Sequence, residues 1–151
     1  MSAQQRTKGK VTVRPMEPED ISAILEVDRK LSGVQRAVTY KGLITGELGG
    51  ELDLSFVAET GGQVIGFILA RHAYIGEPVV EVGLIQILGV DPDYQRLGVA
   101  TKLAEAMLQR CQARDLKWVC IMVNARDSQL QGFFAHMGFH HGQLVDYSKA
   151  L

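Results

Sequence analysis

The segment from Val79 to Val123 constrains this chain more than any other. An apolar run, Val79 to Val90, breaks at Asp91-Pro92, gives way to a helix-patterned stretch, Leu97 to Arg114, and is followed by a second apolar run, "KWVCIMV", Lys117 to Val123. The helical stretch puts Leu103, Met107 and Cys111 on one stripe, with Ala100 and Ala104 beside them and Lys102, Glu105, Gln109 and Gln112 opposite. A strand, helix, strand order favours a right-handed crossover that lays the two strands side by side and parallel. The second run lacks alternation, which predicts a strand buried on both faces.

The rest of the chain supplies neighbours for this unit. "KVTVRP", Lys10 to Pro15, alternates apolar and polar residues and reads as a short first strand. "EPEDISAILEVDRKL" follows, with acids in its first turn and Ile21, Ile24, Leu25 and Leu31 at helical spacing. Thr39 to Leu48, interrupted by Gly42 and Gly46, is a further helix candidate. Leu54 to Glu59, Val64 to Tyr74 and Val79 to Val90 form a meander, because "TGGQ" and "IGEP" between them are turn formers. Asp127 to Met137 is a short helix capped by Asp127 and stopped at Gly138. Phe139 to His141 and Leu144 to Ala150 are expected to form a closing hairpin.

With 151 residues the chain fits one domain, expected over residues 10–151 behind a flexible tail of residues 1–9. Sixteen Lys and Arg against seventeen Asp and Glu leave a net charge of −1, so no whole-chain field draws it to nucleic acid or membrane. The longest apolar run, Val82 to Val90, is broken by Gln86 and is too short to span a bilayer. The polar start "MSAQQRTKGK" lacks the apolar core of a secretory signal, which predicts a cytoplasmic protein. Cys111 and Cys120 lie in apolar segments and read as reduced core residues. His72, His136, His140 and His141 lack the Cys or acidic partners of a metal site, so no metal is expected.

The chemistry concentrates in "QRLGVA", Gln95 to Ala100, where the long helix begins. A helix N-terminus carries unpaired N–H groups and partial positive charge, and it attracts phosphate. Gly98 and Ala100 clear bulk from that point, either for close packing on the sheet or for a phosphate; these six residues alone leave both readings open. The stretch follows the fourth strand rather than the first and lacks the GK[ST] ending of a nucleotide loop.

Taken with its flanks, the chain resembles the GCN5-related N-acetyltransferase (GNAT) family over Val11 to Leu151. The family's Q/RxxGxG/A signature matches Gln95, Gly98 and Ala100; "LGVDPDY" before it is similar to VxPxY, and "FFAHMGF" to YxxxGF. The resemblance implies an α/β fold. Its mixed central sheet would have about six to seven strands, splayed between the fourth and fifth, with about four flanking helices. It also implies acetyl-CoA as acetyl donor, with the pantetheine arm along Leu88, Gly89 and Val90 as if adding a strand. The pyrophosphate would lie on Gln95, Arg96, Leu97, Gly98, Val99, Ala100 and Thr101, helped by the side chains of Thr101, Lys102 or Arg96. The acceptor is a primary amine, on a small molecule or a protein, bordered by the Leu31 to Gly50 region and the closing hairpin; the chain would act as a monomer or homodimer.

Two positions depart from the family. The tyrosine that often protonates the leaving thiolate is here Phe134, and the asparagine seven residues earlier is Asp127; both positions face the cofactor by analogy. A thiol of pKa about 8.5 leaves at pH 7 with a mismatch of about 1.5 units, roughly 2 kcal/mol, so an acid is helpful rather than obligatory. Tyr147 is the alternative acid, and Glu81, early on the fourth strand, is the candidate base, acting through water. Two rival readings stand beside the enzyme: a module that holds an acyl-CoA without transferring it, motivated by Phe134, and an unrelated phosphate binder resting on the helix start.

Overall fold

The computed structural model describes residues 9–32 and 52–151. Within them lies one five-stranded sheet in the order β1 (Thr12–Pro15), β2 (Phe56–Thr60), β3 (Gln63–Ile75), β4 (Val80–Val90) and β5 (Val119–Ile121). The first four strands run antiparallel to their neighbours, and β5 joins β4 in parallel, as the crossover argument requires. Three α-helices accompany the described strands: α1 (Ile21–Ser32), α2 (Val99–Ala113) and α3 (Ser128–His136).

Local chemistry accounts for the element ends. A 3-10 turn over Pro18–Asp20 leads into α1: Glu17 N–H donates to the Asp20 carboxylate at 2.8 Å, and the Arg14 guanidinium grips that carboxylate at 2.8 and 2.9 Å. Asp127 caps α3 by accepting from Leu130 N–H at 3.0 Å, and Gly138, at φ 93°, ends it.

The core lies on both faces of the sheet. On one face α1 packs Ile24 and Val27 against Met16, Val57, Phe67 and Leu69. On the other, Leu103, Met107 and Cys111 of α2 meet Ile68, Ala70 and Ile85, with Phe134 of α3 in the same cluster. Each fully buried aliphatic or aromatic side chain contributes about 1.5–3 kcal/mol. Cys111 is buried, and desolvation pushes its thiol up to about 11. Cys120 is half-buried, and neither cysteine is in a disulfide.

Two expectations are corrected. The sheet has five described strands rather than six to seven, because residues 139–151 form no strand and leave Leu144, Val145, Tyr147 and Leu151 exposed. β5 is three residues long and half-buried at the sheet edge, not covered on both faces, with Trp118 and Met122 exposed beside it. Three helices rather than four are described; the Thr39 to Leu48 helix candidate lies outside the described residues, as do residues 1–8 of the expected tail.

Gly83 admits α2 close to the sheet: a Cβ there would stand 2.7 Å from Cys111 Sγ and 3.1 Å from Met107 Cε. Gly83→Ala is therefore expected to destabilise the fold by about 1–3 kcal/mol through overpacking, read as a lower urea midpoint at unchanged slope.

Candidate active site

A fork in the sheet organises this region. β4 pairs with β5 only through Gly83↔Val119, Leu84↔Cys120 and Ile85↔Ile121, and then runs on to Val90. From Gln86 to Val90 the β5-facing edge of β4 has no strand partner among the described residues, while its other edge stays paired with β3 as far as Gly66↔Val90. The branch point carries a bulge: the β3 pairing steps from Ala70↔Ile85 to Leu69↔Ile87 and passes over Gln86. Beyond Ile121 the chain is drawn towards α3. Gln131 Nε2 donates to the carbonyls of Asn124 and Ala125 at 3.0 and 2.9 Å, and Asp127 N–H donates to Asn124 O at 2.9 Å.

At the top of the open edge the chain turns tightly into α2. Asp91, 1% exposed, accepts from Asp93 N–H at 2.9 Å and from Lys30 Nζ at 2.8 Å, which ties the turn to α1. Gln95 Nε2 donates to Val90 O at 3.1 Å and folds the loop onto the end of β4. Arg96 and Gly98 adopt positive φ, 64° and 80°, with Leu97 between them outside that region. Such alternation turns successive N–H groups towards one side, an arrangement suited to anions.

The helix start is free to receive a ligand. Lys102 N–H makes the first intrahelical bond, to Gly98 O at 3.0 Å, so the N–H groups of Val99, Ala100 and Thr101 precede the ladder. Gly98 is the N-cap and offers no side-chain cap, and no acidic residue lies in the first turn. A Cβ on Gly98 would meet nothing within 4 Å. Close packing therefore does not explain this glycine; the left-handed backbone and the open space above it do. Ala100, by contrast, is packed against the core.

The structure thus brings Leu88, Gly89, Val90 and Gln95 to Thr101 together along one continuous edge and helix start. Asp127 spends its carboxylate on the α3 cap. Phe134 is 3% exposed, with its ring edge-on to Phe133 and Phe139 at centroid distances of 5.1 Å, so it anchors α3 in the core. Tyr147 is 94% exposed on the strandless C-terminal segment, apart from the sheet. Most of the Leu31 to Gly50 region expected to border the acceptor lies outside the described residues.

Glu81 belongs to a charged network at the opposite end of β4. His72 Nδ1 lies 3.0 Å from Glu81 and His72 Nε2 lies 3.5 Å from Asp53, which also binds Arg114 at 2.7 and 2.8 Å and Arg110 at 3.3 Å. Sequence reasoning missed this network and the Gln86 bulge. Its members are separated by up to 61 residues, and one glutamine in an apolar run carries no bulge signal. The Arg114 guanidinium, against desolvation by burial, holds the Asp53 carboxyl well below the usual carboxylate range, with His72 and Arg110 adding to the effect.

These features define an α/β fold with an open strand edge running into an anion-ready helix start. The description "Acetyltransferase (GNAT) family" matches residues 23–139, and the chain belongs to that family. Among curated proteins it is 32% identical over 88 residues to mycothiol acetyltransferase from Cellulomonas flavigena, a match covering 55% of this chain and 25% of that protein, so the chain spans about a quarter of that relative's length. Among solved structures, aminoglycoside N-acetyltransferase AAC(6')-Iy in complex with CoA superposes with a TM-score of 0.78 at 17% identity, covering 94% of this chain and 95% of the other. Ribosomal-protein-alanine N-acetyltransferase from Brucella melitensis biovar Abortus 2308 gives 0.76 at 11% identity, covering 94% and 99%. A possible acetyltransferase from Clostridium difficile 630 gives 0.76 at 15%, covering 93% and 97%. At these identities the structural likeness is one of fold.

A carboxyl group with a depressed native pKa stabilises the fold above its unfolded value, about pH 3.9, and that contribution is lost as pH falls through the native value. Asp53→Asn is therefore expected to lower stability at pH 7 by about 1–3 kcal/mol and to flatten the fall in stability below about pH 4; chemical denaturation across that range reads both.

Proposed function

We propose that this chain transfers an acetyl group from acetyl-CoA to a primary amine by direct attack of the amine on the thioester. The observation that carries this reading is the continuity of the unpaired half of β4 with the uncapped start of α2. One ligand with amides followed by a pyrophosphate matches both. In this reading the backbone of Leu88, Gly89 and Val90 takes the pantetheine amides in the manner of an added strand. The N–H groups from Arg96 to Thr101 take the phosphates, with Gln95 holding the loop in register. Asp127 and Phe134 fix α3 beside the opening.

With the phosphates at the head of α2, the arm runs back down β4 towards the fork, so the thioester lies near Gln86 and Ile85. Bound there, acetyl-CoA supplies an activated acyl carbon. Glu81 lies four residues beyond Ile85 along the strand, about 13 Å at 3.3 Å per residue, so the amine's proton reaches it only along a relay of several waters. Phe134 supplies no proton to the departing sulfur. Both facts favour acceptors whose amine is already substantially neutral. An α-amino group of pKa about 7.8 is neutral in about one molecule in seven at pH 7, a lysine-like amine of pKa about 10.4 in about one in 2,500.

Small-molecule acceptors are supported by the aminoglycoside enzyme among the fold neighbours, which is also described in complex with a bisubstrate analogue of CoA and an acetylneamine. Phe134 favours a second reading, an acyl-CoA-binding module without transfer. Incubation with acetyl-CoA and a panel of amines, following free thiol, separates the two: binding without amine-dependent thiol release would overturn transfer.

Gly98→Glu is expected to weaken CoA binding about 10²–10³-fold. One charge about 4 Å from a phosphate at an effective dielectric of about 20 costs about 4 kcal/mol. Unchanged affinity by calorimetry, with native circular dichroism, would refute the phosphate placement. Glu81→Gln is expected to lower kcat/KM up to about 10²-fold for high-pKa amines, and to remove the limb of the pH–rate profile that reports a group needed deprotonated. An unaltered profile would leave Glu81 as a partner of His72 alone.

A further inference from the structure

Arg71 of β3 is a half-buried cation without a counter-charge. Its Nε is buried with no hydrogen-bond partner, and its two terminal amino groups, which reach solvent, have no partner among the described residues either. The cations of β1 and α1 are all committed, by contrast: Arg14 to Asp20 and Glu59, Arg29 to Glu26 and Lys30 to Asp91. A partly buried charge left unpaired costs free energy that a matching anion recovers.

The register sets this guanidinium beside the fork. One row across the sheet runs Arg71, Leu84 and Cys120, so Arg71 stands level with the short β4–β5 pairing and one strand in from it. Along β3, Phe67 and Leu69 pack with α1, while Ile68 and Ala70 pack with α2. Alternation therefore puts Arg71 on the α1 face and His72, with its Asp53 and Glu81 partners, on the other. Both α2 and α3 pack on that other face. The face that holds Arg71 is thus the one from which an amine approaches a thioester lodged near Ile85 and Gln86.

We propose that Arg71 holds a carboxylate of the acceptor, which makes the acceptor a small amine with a carboxylate within a few bonds of its nitrogen, an amino acid or a close relative of one. This inference rests on acetyl transfer at the fork. One strand spacing and one residue step separate Arg71 from Ile85, about 6 Å between backbones. A carboxylate anchored on the guanidinium therefore leaves its nitrogen, a few bonds away, beside the thioester. Two free amino groups on a stem fixed by the buried Nε match the two oxygens of a carboxylate in one plane. A single positive charge suits a carboxylate better than a phosphate dianion, which it would only half neutralise.

The pairing also eases loss of the proton. In free solution the carboxylate of an amino acid stabilises its own ammonium; once it is paired with Arg71 that stabilisation is withdrawn, and the amine yields its proton more readily. Transfer then balances in the ordinary way. The nitrogen–carbon bond forms, the carbon–sulfur bond breaks with its electron pair going to sulfur, the ammonium loses two protons in all, and sulfur takes up one.

Initial rates of free-thiol release by the full chain test this, using acetyl-CoA with glycine, alanine, leucine and phenylalanine, each beside its amide. The amide nitrogen partner is the less basic amine of each pair, so proton chemistry alone favours the amide and a preference for the acid reads recognition. At least one acid is expected to exceed its amide tenfold or more in kcat/KM. Arg71→Gln is expected to lower that ratio about 10–10²-fold, with Arg71→Lys, which keeps the charge but not the fork, in between. Thiol release with no acid preferred, or a ratio unmoved in a natively folded Arg71→Gln chain, sinks the inference and leaves transfer standing. If the variant fails to fold, the comparison of acid with amide on the unaltered chain decides. If no amine releases thiol, transfer itself fails, and calorimetric titration of N-acetylalanine and N-acetylalaninamide into the chain with CoA reads Arg71 directly. Tighter binding of the acid then sustains the carboxylate site, and equal binding overturns it.

Discussion

Everything in the functional half of the molecule depends on the place where β4 and β5 part. Three paired residues are enough to fix β5 in parallel register beside β4, and the divergence after Ile121 leaves five residues of β4 with one unused edge. Two anchors enforce the divergence. On the β5 side, Gln131 and the Phe133, Phe134 and Phe139 rings draw the chain into α3. On the β4 side, pairing with β3 as far as Val90, the Asp91–Lys30 contact and the Gln95–Val90 bond keep the strand from following. Unused backbone N–H and C=O groups inside a protein are costly unless they are met by water or a ligand. An opening held from both sides is therefore built into the fold, and it is the feature on which the proposed cofactor site rests.

The legibility of this arrangement in the sequence was uneven, for physical reasons. Strand, helix and strand around α2 were legible because burial on one or two faces imposes a periodicity that any reader can count. The helix start was legible as a place but not as a purpose. Gly98 is written identically whether it allows close packing or open space, and only the empty volume around its missing Cβ distinguishes them. The expected closing hairpin does not form: Leu144, Val145 and Tyr147 have the composition of a strand, but composition names no partner edge. Nor could the Asp53, His72, Glu81 and Arg114 cluster be seen, since such a network is a property of three-dimensional registers and not of spacing along the chain.

Donor and acceptor are encoded in different currencies. The proposed donor site is largely backbone: a strand edge unpaired among the described residues, a loop of alternating φ and a helix terminus. Backbone sites demand glycine and small residues at fixed offsets, which is why a six-residue signature can stand for them. An acceptor site is made of side chains from several elements, where many solutions bind an amine equally well and no spacing is obligatory. Fold neighbours with identities of 11–17% can accordingly share the sheet while bearing names as different as an aminoglycoside and a ribosomal-protein-alanine acetyltransferase.

Phe134 and the amine's own proton set two separate demands on the proposed chemistry. A phenyl ring at the family's tyrosine position offers no proton, and it packs edge-on to Phe133 and Phe139 to hold α3. The deficit at sulfur is modest, roughly 2 kcal/mol at pH 7 for a thiol of pKa about 8.5. Free N–H groups at the head of α2 favour negative charge nearby, but a macrodipole effect of about 0.3–1 kcal/mol that fades within the first turn is too weak and too local to replace an acid at the fork. The amine is the steeper demand. Moving from a pKa of about 7.8 to 10.4 lowers the neutral fraction by a factor of several hundred, equivalent to about 3.5 kcal/mol. On the proposed reading, a site with no phenol and a carboxylate four residues beyond Ile85 along β4 is better matched to a weakly basic amine than to a lysine side chain.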